Sequence, residues 1–315
     1  MPLPRFRSRR HLLILGAFWA LTTHAGRAEA QACCAGTGAV TPGRLALHEL
    51  ALVGTQWKAG DVLGSFDGAA RYMPSPQGAS ELDLEQDVFG AVRVLRRGQI
   101  ALLIPLVETR RTSSGISEFG GNIGDVNASL RYDFTLAGTS TVMPGIAVLG
   151  GLTLPTGTPP DAPNLGPLAT GATGIGAFQI NAGAAVEQAF GPWLVSATGI
   201  VAQRTARTVG ALPNQVHERL GPQWTFLAAV AYTFPSDVAL AASASYLVEG
   251  NATIDGLEAN GTAHRLPTLT LSGVVPLSDE WRLQGGVFDN LPLAPLGLNQ
   301  SAAVGLFVTV VRSWT

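Results

Sequence analysis

The stretch Gly124-Asp125-Val126-Asn127-Ala128-Ser129-Leu130-Arg131-Tyr132-Asp133-Phe134 decides the fold class. Val126, Ala128, Leu130, Tyr132 and Phe134 fall on one face; Asp125, Asn127, Ser129, Arg131 and Asp133 fall on the other. Side chains alternate across a strand, so this segment offers one side to an apolar medium and the other to water. A soluble amphipathic strand shows the same pattern, and recurrence along the chain separates the two readings. Val62 to Tyr72 sets Asp61, Ser65, Asp67 and Arg71 on a polar face, and Leu82 to Val94 sets Asp83, Glu85, Asp87 and Arg93 opposite Leu82, Leu84, Val88, Val92 and Val94. Trp224 to Phe234 and Val238 to Val248 repeat the period, whereas Ile100 to Arg110 and Gly174 to Glu187 alternate less cleanly because Ala and Gly occupy both faces.

Segments of about ten residues with this period have the length of a tilted strand crossing an outer membrane. They are expected at 60–72, 80–95, 99–110, 124–135, 141–154, 174–187, 193–206, 219–233, 238–249, 264–276, 281–289 and 301–314. Short polar turns, such as Gly191-Pro192 and Pro235-Ser236-Asp237, alternate with longer stretches near 112–123, 155–173, 207–219, 251–263 and 290–300. Short periplasmic turns and long external loops are the habit of outer-membrane barrels. The fold class expected is therefore all-β, a transmembrane antiparallel up-and-down β-barrel of about 12 strands. Arg44 to Trp57 is also strand-like, but including it makes the count odd, so residues 31–59 are assigned to a periplasmic arm or lumen plug and 60–315 to the barrel.

Composition agrees. Only 13% of residues are charged, against a usual quarter, which suits a surface facing lipid rather than water. The formal net charge of −2 argues against nucleic acid as a partner. Arg5, Arg7, Arg9 and Arg10, the apolar run Leu12 to Leu21 and the small residues Ala28-Glu29-Ala30-Gln31-Ala32 describe a signal peptide over about residues 1–30. The expected location is the cell outer membrane, with outer-membrane lipid, the barrel-assembly machinery during insertion and a small-molecule solute as partners. Cys33 and Cys34 are adjacent and staple no distant parts of the chain, and Ala30 stands where lipoprotein signals usually carry Leu.

Aromatic residues give an independent check. Phe134, Phe190, Trp193, Phe234, Trp281 and Trp314 fall beside the short turns or chain end, and Trp224, Tyr246 and Phe178 toward the long loops, as two interfacial girdles require. The last strand alternates Val304, Leu306, Val308, Val310 and Trp314. It is similar to the C-terminal signature of barrel proteins, though Thr315 follows the Trp and Arg312 interrupts the apolar face.

Three segments, Gly121 to Phe134, Gly151-Leu-Thr-Leu-Pro-Thr-Gly157 and Thr173-Gly-Ile-Gly-Ala-Phe-Gln179, resemble the outer-membrane family named for the meta-pathway of phenol degradation, a group of transporter-like barrels. In that family a strand opening G-D and ending R-Y-x-F precedes a strand ending P-T-G, a long loop and a G-x-G opening; order and spacing here agree across the middle third. The resemblance implies a barrel and a role in uptake of hydrophobic or aromatic small molecules.

Enzymatic readings find little to stand on. Gly171 to Gly176 is glycine-rich, but a loop precedes it and an alternating strand follows, not the strand-loop-helix a nucleotide site requires. His48, His217 and His264 follow the signal, and His217 beside Glu218 forms no dyad because neighbours on an extended chain point apart. No catalytic residue, cofactor or metal site is assigned. The polar faces carry the functional argument: Asp83, Glu85, Asp87, Arg93, Asp125, Asn127, Arg131, Asp133, Arg204, Glu249 and Arg282 are expected to line the lumen. Their charges either orient a permeating solute or pair with one another and close the interior. The function expected is a passive channel or facilitator for small molecules, hydrophobic or aromatic ones included; the alternatives are a structural barrel without transport and an outer-membrane lipid hydrolase.

Overall fold

A computed structural model describes residues 43–138, 140, 142–163, 165–210 and 215–315. The assigned signal peptide, Cys33 and Cys34 lie outside them. Twelve long strands form the barrel: β1 (Ala51–Phe66), β2 (Ser80–Leu95), β3 (Gly98–Ser113), β4 (Val126–Thr135), β5 (Gly145–Leu154), β6 (Gln179–Phe190), β7 (Trp193–Arg204), β8 (Gln223–Thr233), β9 (Ala239–Glu249), β10 (His264–Pro276), β11 (Trp281–Asp289) and β12 (Ser301–Trp314). Each pairs antiparallel with the next, and β1 closes on β12 from Ala51↔Trp314 to Ser65↔Ser301. Closure leaves no barrel edge, which is what strand backbone in lipid demands.

One expectation needs correcting. The first strand is not 60–72 but Ala51–Phe66, and it pairs with both β12 and β2 from Ala51 onward. The strand-like Arg44–Trp57 stretch thus splits: its second half is barrel wall, and only the part before Ala51 is an arm. The even count survives because one strand spans the two segments. The strands expected at 141–154, 174–187 and 219–233 begin a few residues later, at Gly145, Gln179 and Gln223, because the loops before them reach further in.

Alternation follows the expected period except near the end of β1, where Val62 and Phe66 are buried inside and Asp61 and Ser65, expected on the polar inner face, are exposed in the outward register of Val53 and Trp57. Inward positions of β2 run Glu81, Asp83, Glu85, Asp87, Phe89, Ala91 and Arg93, while Val88, Val92 and Val94 are exposed on the outside. Ile100, Leu102, Ile104 and Leu106 continue the outer band on β3, and Leu306 and Val308 on β12. At the turn end, Trp193, Tyr232 and Phe234 meet edge-to-face at 4.8 Å each, Tyr132 and Phe134 at 5.1 Å, and Arg312 lies over Trp281 and Trp314 while pairing with Glu280. The Arg that interrupts the last strand therefore sits in the girdle, its charge matched and its stem along indoles.

One side of the interior is packed rather than open. Phe89 covers Gly54, Phe307 covers Gly286, and Phe288 covers Gly60 and Gly305. A Cβ at Gly305 would lie 2.2 Å from the Ala59 carbonyl oxygen, so this closing seam admits no side chain there. Aromatic rings laid over strand glycines on a neighbouring strand stabilise a sheet at positions that otherwise weaken it.

At the loop end, several strands project past the barrel. Ile116–Ile123 extends the β3 ladder, and Arg207–Val209, Val216–Arg219, Thr253–Ile254 and Leu257–Glu258 form a small separate sheet in the loops.

Candidate solute path through the lumen

Two cavities lie inside the barrel. The middle one, about 470 Å³, is lined among others by Gln56, Lys58, Glu85, Asp87, Asn127 and Arg131. The second, about 450 Å³, lies toward the turn end against Arg93, Asp133, Glu187 and Trp193. Arg44 lines both, so the arm stands between them.

The arm is held from several walls. Leu45 is buried in an apolar cluster with Leu52, Phe89, Ala91 and Val311. The Gln99 side chain on β3 accepts from the Leu45 N–H at 3.1 Å and donates to the Gly43 carbonyl at 3.1 Å. Arg93 on β2 donates to the Ala46 and Glu49 carbonyls at 2.6 and 2.9 Å. Arg44 pairs with Glu187 on β6 at 2.5 Å, and Glu49 pairs with Arg282 on β11. Strands β6 and β11 are nearly half a circuit apart in a ring of twelve, so these two ion pairs tie the arm across the lumen rather than along one wall.

Burial is the largest single influence on the Glu49 carboxyl and would raise it, but the Arg282 charge and the hydrogen bonds from Arg282, the Ala46 N–H and Ser313 together outweigh it, and the group ends below its ordinary value. A buried carboxylate so matched is held charged.

The residues expected to line the lumen are mostly brought into pairs. Arg131 joins Asp133 at 2.8 Å and Glu187 at 3.2 Å, extending the Arg44–Glu187 link into a four-residue network. Glu85 accepts from Lys58 at 2.9 Å, and Asp83 from Thr109 at 2.9 Å. Asn127 donates to Thr153 at 3.0 Å. Arg204 pairs with Glu249 at 2.7 Å near the loop end and also reaches Gln179 and Gln223. Arg93 and Arg282 serve the arm. Asp125 stands just before β4 and works differently: its two oxygens accept from the Gly157 and Ile175 N–H groups, clasping both ends of the long loop after β5. Farther along that loop, Arg111 donates to the Leu168 carbonyl while pairing with Glu81, and Glu118 accepts from the Leu168 N–H.

Several of these groups are absent from the sequence-based set, namely Arg44, Glu49, Lys58, Gln99 and Glu187. Glu187 shares the inward register of Gln179 and Asn181, a signal hidden by the Ala and Gly between them. The histidines do not converge on a carboxylate: Glu218 pairs with Arg207, while His217 approaches Thr208 at 3.4 Å. His264 meets the Asn299 carbonyl at 2.7 Å.

Neither a family model nor a curated protein matches the chain. Solved structures do. An outer-membrane channel from Pseudomonas putida F1 superposes with a TM-score of 0.70 at 12% identity, covering 84% of this chain and 96% of that one. The translocator domain of the autotransporter NalP from Neisseria meningitidis gives a TM-score of 0.47 at 13% identity, covering 90% and 94%. The CymD monoaromatic hydrocarbon channel gives 0.42 at 8% identity, covering 92% and 94%. The latter two superpose too loosely to bear on this chain. The first likeness shows the fold, which together with the apolar outer band and aromatic girdles makes the chain an outer-membrane β-barrel. The sequence resemblance noted above holds as far as an outer-membrane barrel.

Proposed function

We propose that this outer-membrane barrel is a passive channel or facilitator for small molecules, hydrophobic or aromatic ones among them, which cross by diffusion through the lumen without a cofactor. The observation that carries this reading is the pair of cavities in series, each large enough for a small solute, with Arg44 of the arm lining both. The arm is then a plug held by polar contacts, and its release joins the two spaces. The ion-paired residues Arg131, Asp133, Glu187 and Lys58 line the path and set up a transverse field that orients the solute, while Phe89, Leu103 and Leu227 give the middle cavity an apolar side.

A second reading, a structural barrel without transport, is favoured by the extent of that pairing: Arg131, Arg204 and Arg282 each have a carboxylate partner and none is left to meet a solute. Planar-bilayer recordings of the refolded barrel separate the two. Discrete openings support the channel; silence, with no uptake of an uncharged aromatic solute into loaded vesicles, supports the structural barrel.

A further inference from the structure

We infer that Asp87, in the middle of the lumen, receives the ammonium group of small primary amines. How a solute reaches Asp87 rests on the channel reading above, whereas the site itself does not. On the inner face of β2, Glu81, Asp83, Glu85 and Asp87 occupy alternate positions, so a carboxylate recurs roughly every 7 Å from the mouth inward. The first three are provided for. Glu81 is paired with Arg111 at 2.6 Å, Asp83 accepts from Thr109 and Glu85 from Lys58.

Asp87 differs: its side chain meets Glu85, a second acid, and Lys58 reaches it by charge while bonding to Glu85. Asp87 is only 4% exposed, and its buried Oδ1 has no hydrogen-bond partner among the described residues. Its cross-strand neighbours offer it little: Gln56 on β1 turns its amide nitrogen to Thr309 at 2.8 Å, and Pro105 on β3 has no polar side chain. Buried polar oxygens without donors are rare, and this one belongs to a residue that lines a cavity of about 470 Å³.

Chemistry selects the ligand. Arg111, paired with Glu81, also acts on Asp83, and Lys58 is the cation beside Glu85 and Asp87, so among the described residues this run of four carboxylates faces two cations. Among the described residues no three His, Cys, Asp or Glu side chains converge as metal ligands, which favours a donor of N–H groups over a bare metal ion. A primary ammonium supplies both the charge and three donors. Phe89, two residues along the same face and also lining the cavity, gives the carbon chain of the amine an apolar surface.

The test is calorimetric titration of the refolded barrel in zwitterionic detergent with n-butylammonium chloride, alongside tetramethylammonium and sodium butyrate. Butylammonium is expected to bind, tetramethylammonium at least tenfold more weakly because it has no N–H, and butyrate not at all. Asp87→Asn is expected to weaken butylammonium at least tenfold. Lys58→Met, which removes the resident cation, is expected to tighten it at least threefold, and it serves if Asp87→Asn fails to fold. No binding to the folded wild type, equal binding of tetramethylammonium, or an unchanged affinity in either folded variant overturns the proposal. A barrel that binds butylammonium through Asp87 yet conducts nothing keeps the site and removes the channel. A conducting barrel that ignores butylammonium does the reverse.

Discussion

Substituting Arg44 should open the barrel without unfolding it, whereas substituting Glu187 should do both more and worse. Arg44 is 15% exposed and its partner Glu187 is 5% exposed, so solvent screens the pair little. In Arg44→Ala, Glu187 keeps Arg131 at 3.2 Å and is not orphaned. The loss includes the charge-assisted hydrogen bond to Glu187, about 1.5–3 kcal/mol. At about 1.4 kcal/mol per decade this shifts the docked-to-released ratio of the arm by roughly 12- to 150-fold. In Glu187→Gln, Arg44 and Arg131 both lose their shared carboxylate, and breaking a buried pair costs about 3–5 kcal/mol, part of which falls on the barrel because Arg131 belongs to β4. The assay is open probability in planar bilayers, with heat-modified migration to report barrel stability and protease cleavage of the arm to report release. Arg44→Ala should raise open probability and cleavage together at unchanged barrel stability; Glu187→Gln should raise them further and lower the stability. If the arm becomes cleavable in Arg44→Ala and open probability stays at the wild-type level, the arm is no plug.

Other consequences can be checked separately. Because the docked Glu49 carboxyl lies below its ordinary value, docking is favoured above pH 4.5 and weakens as pH falls through the lowered value; arm cleavage or open probability measured from pH 6 to 3 should rise only in the acid range, and rise less steeply in Glu49→Gln, which keeps only the Arg44–Glu187 tie. Arg131→Glu reverses the charge in the four-residue network, and the reversal potential in a salt gradient should move toward cation preference; an unchanged value would take Arg131 off the path. Asp125→Ala removes the acceptor for both ends of the loop after β5, so hydrogen exchange at Gly157 and Ile175 should accelerate while the barrel strands stay protected. Gly305→Val places a side chain against the Ala59 carbonyl and the Phe288 ring at the closing seam, and should abolish the heat-resistant folded band.

Strand number, antiparallel order and inward faces were readable because a side chain facing lipid and one facing the lumen obey opposite rules, so β2 and β4 announce themselves. Segment β1 was harder. Gln56 and Lys58 face in, Val53 and Trp57 face out, but Gly54 and Gly60 fall in the inward register, where they make room for Phe rings of other strands, and this blurs the period. The boundary between arm and barrel could not be placed without knowing those rings. The charged positions on β2 and β4 were legible for the same reason as the strands. Their partners were not, since Arg44–Glu187 and Glu49–Arg282 join residues far apart in sequence across the lumen, and periodicity carries no information about what lies opposite in a closed ring. Asp125 shows the complementary error: it keeps the polar register of β4 yet stands beyond the strand, where it binds loop backbone.

The decisive measurement is single-channel conductance of the refolded mature protein beside a form lacking residues 31–49. The cut stops there because Leu50 already bonds to Trp314 and Arg93, and Ala51 opens the first barrel strand. A plugged channel predicts rare or small openings in the mature protein and frequent, larger ones after deletion, with both forms giving the folded band in unheated samples. A deleted form that is folded and as silent as its parent would contradict the account.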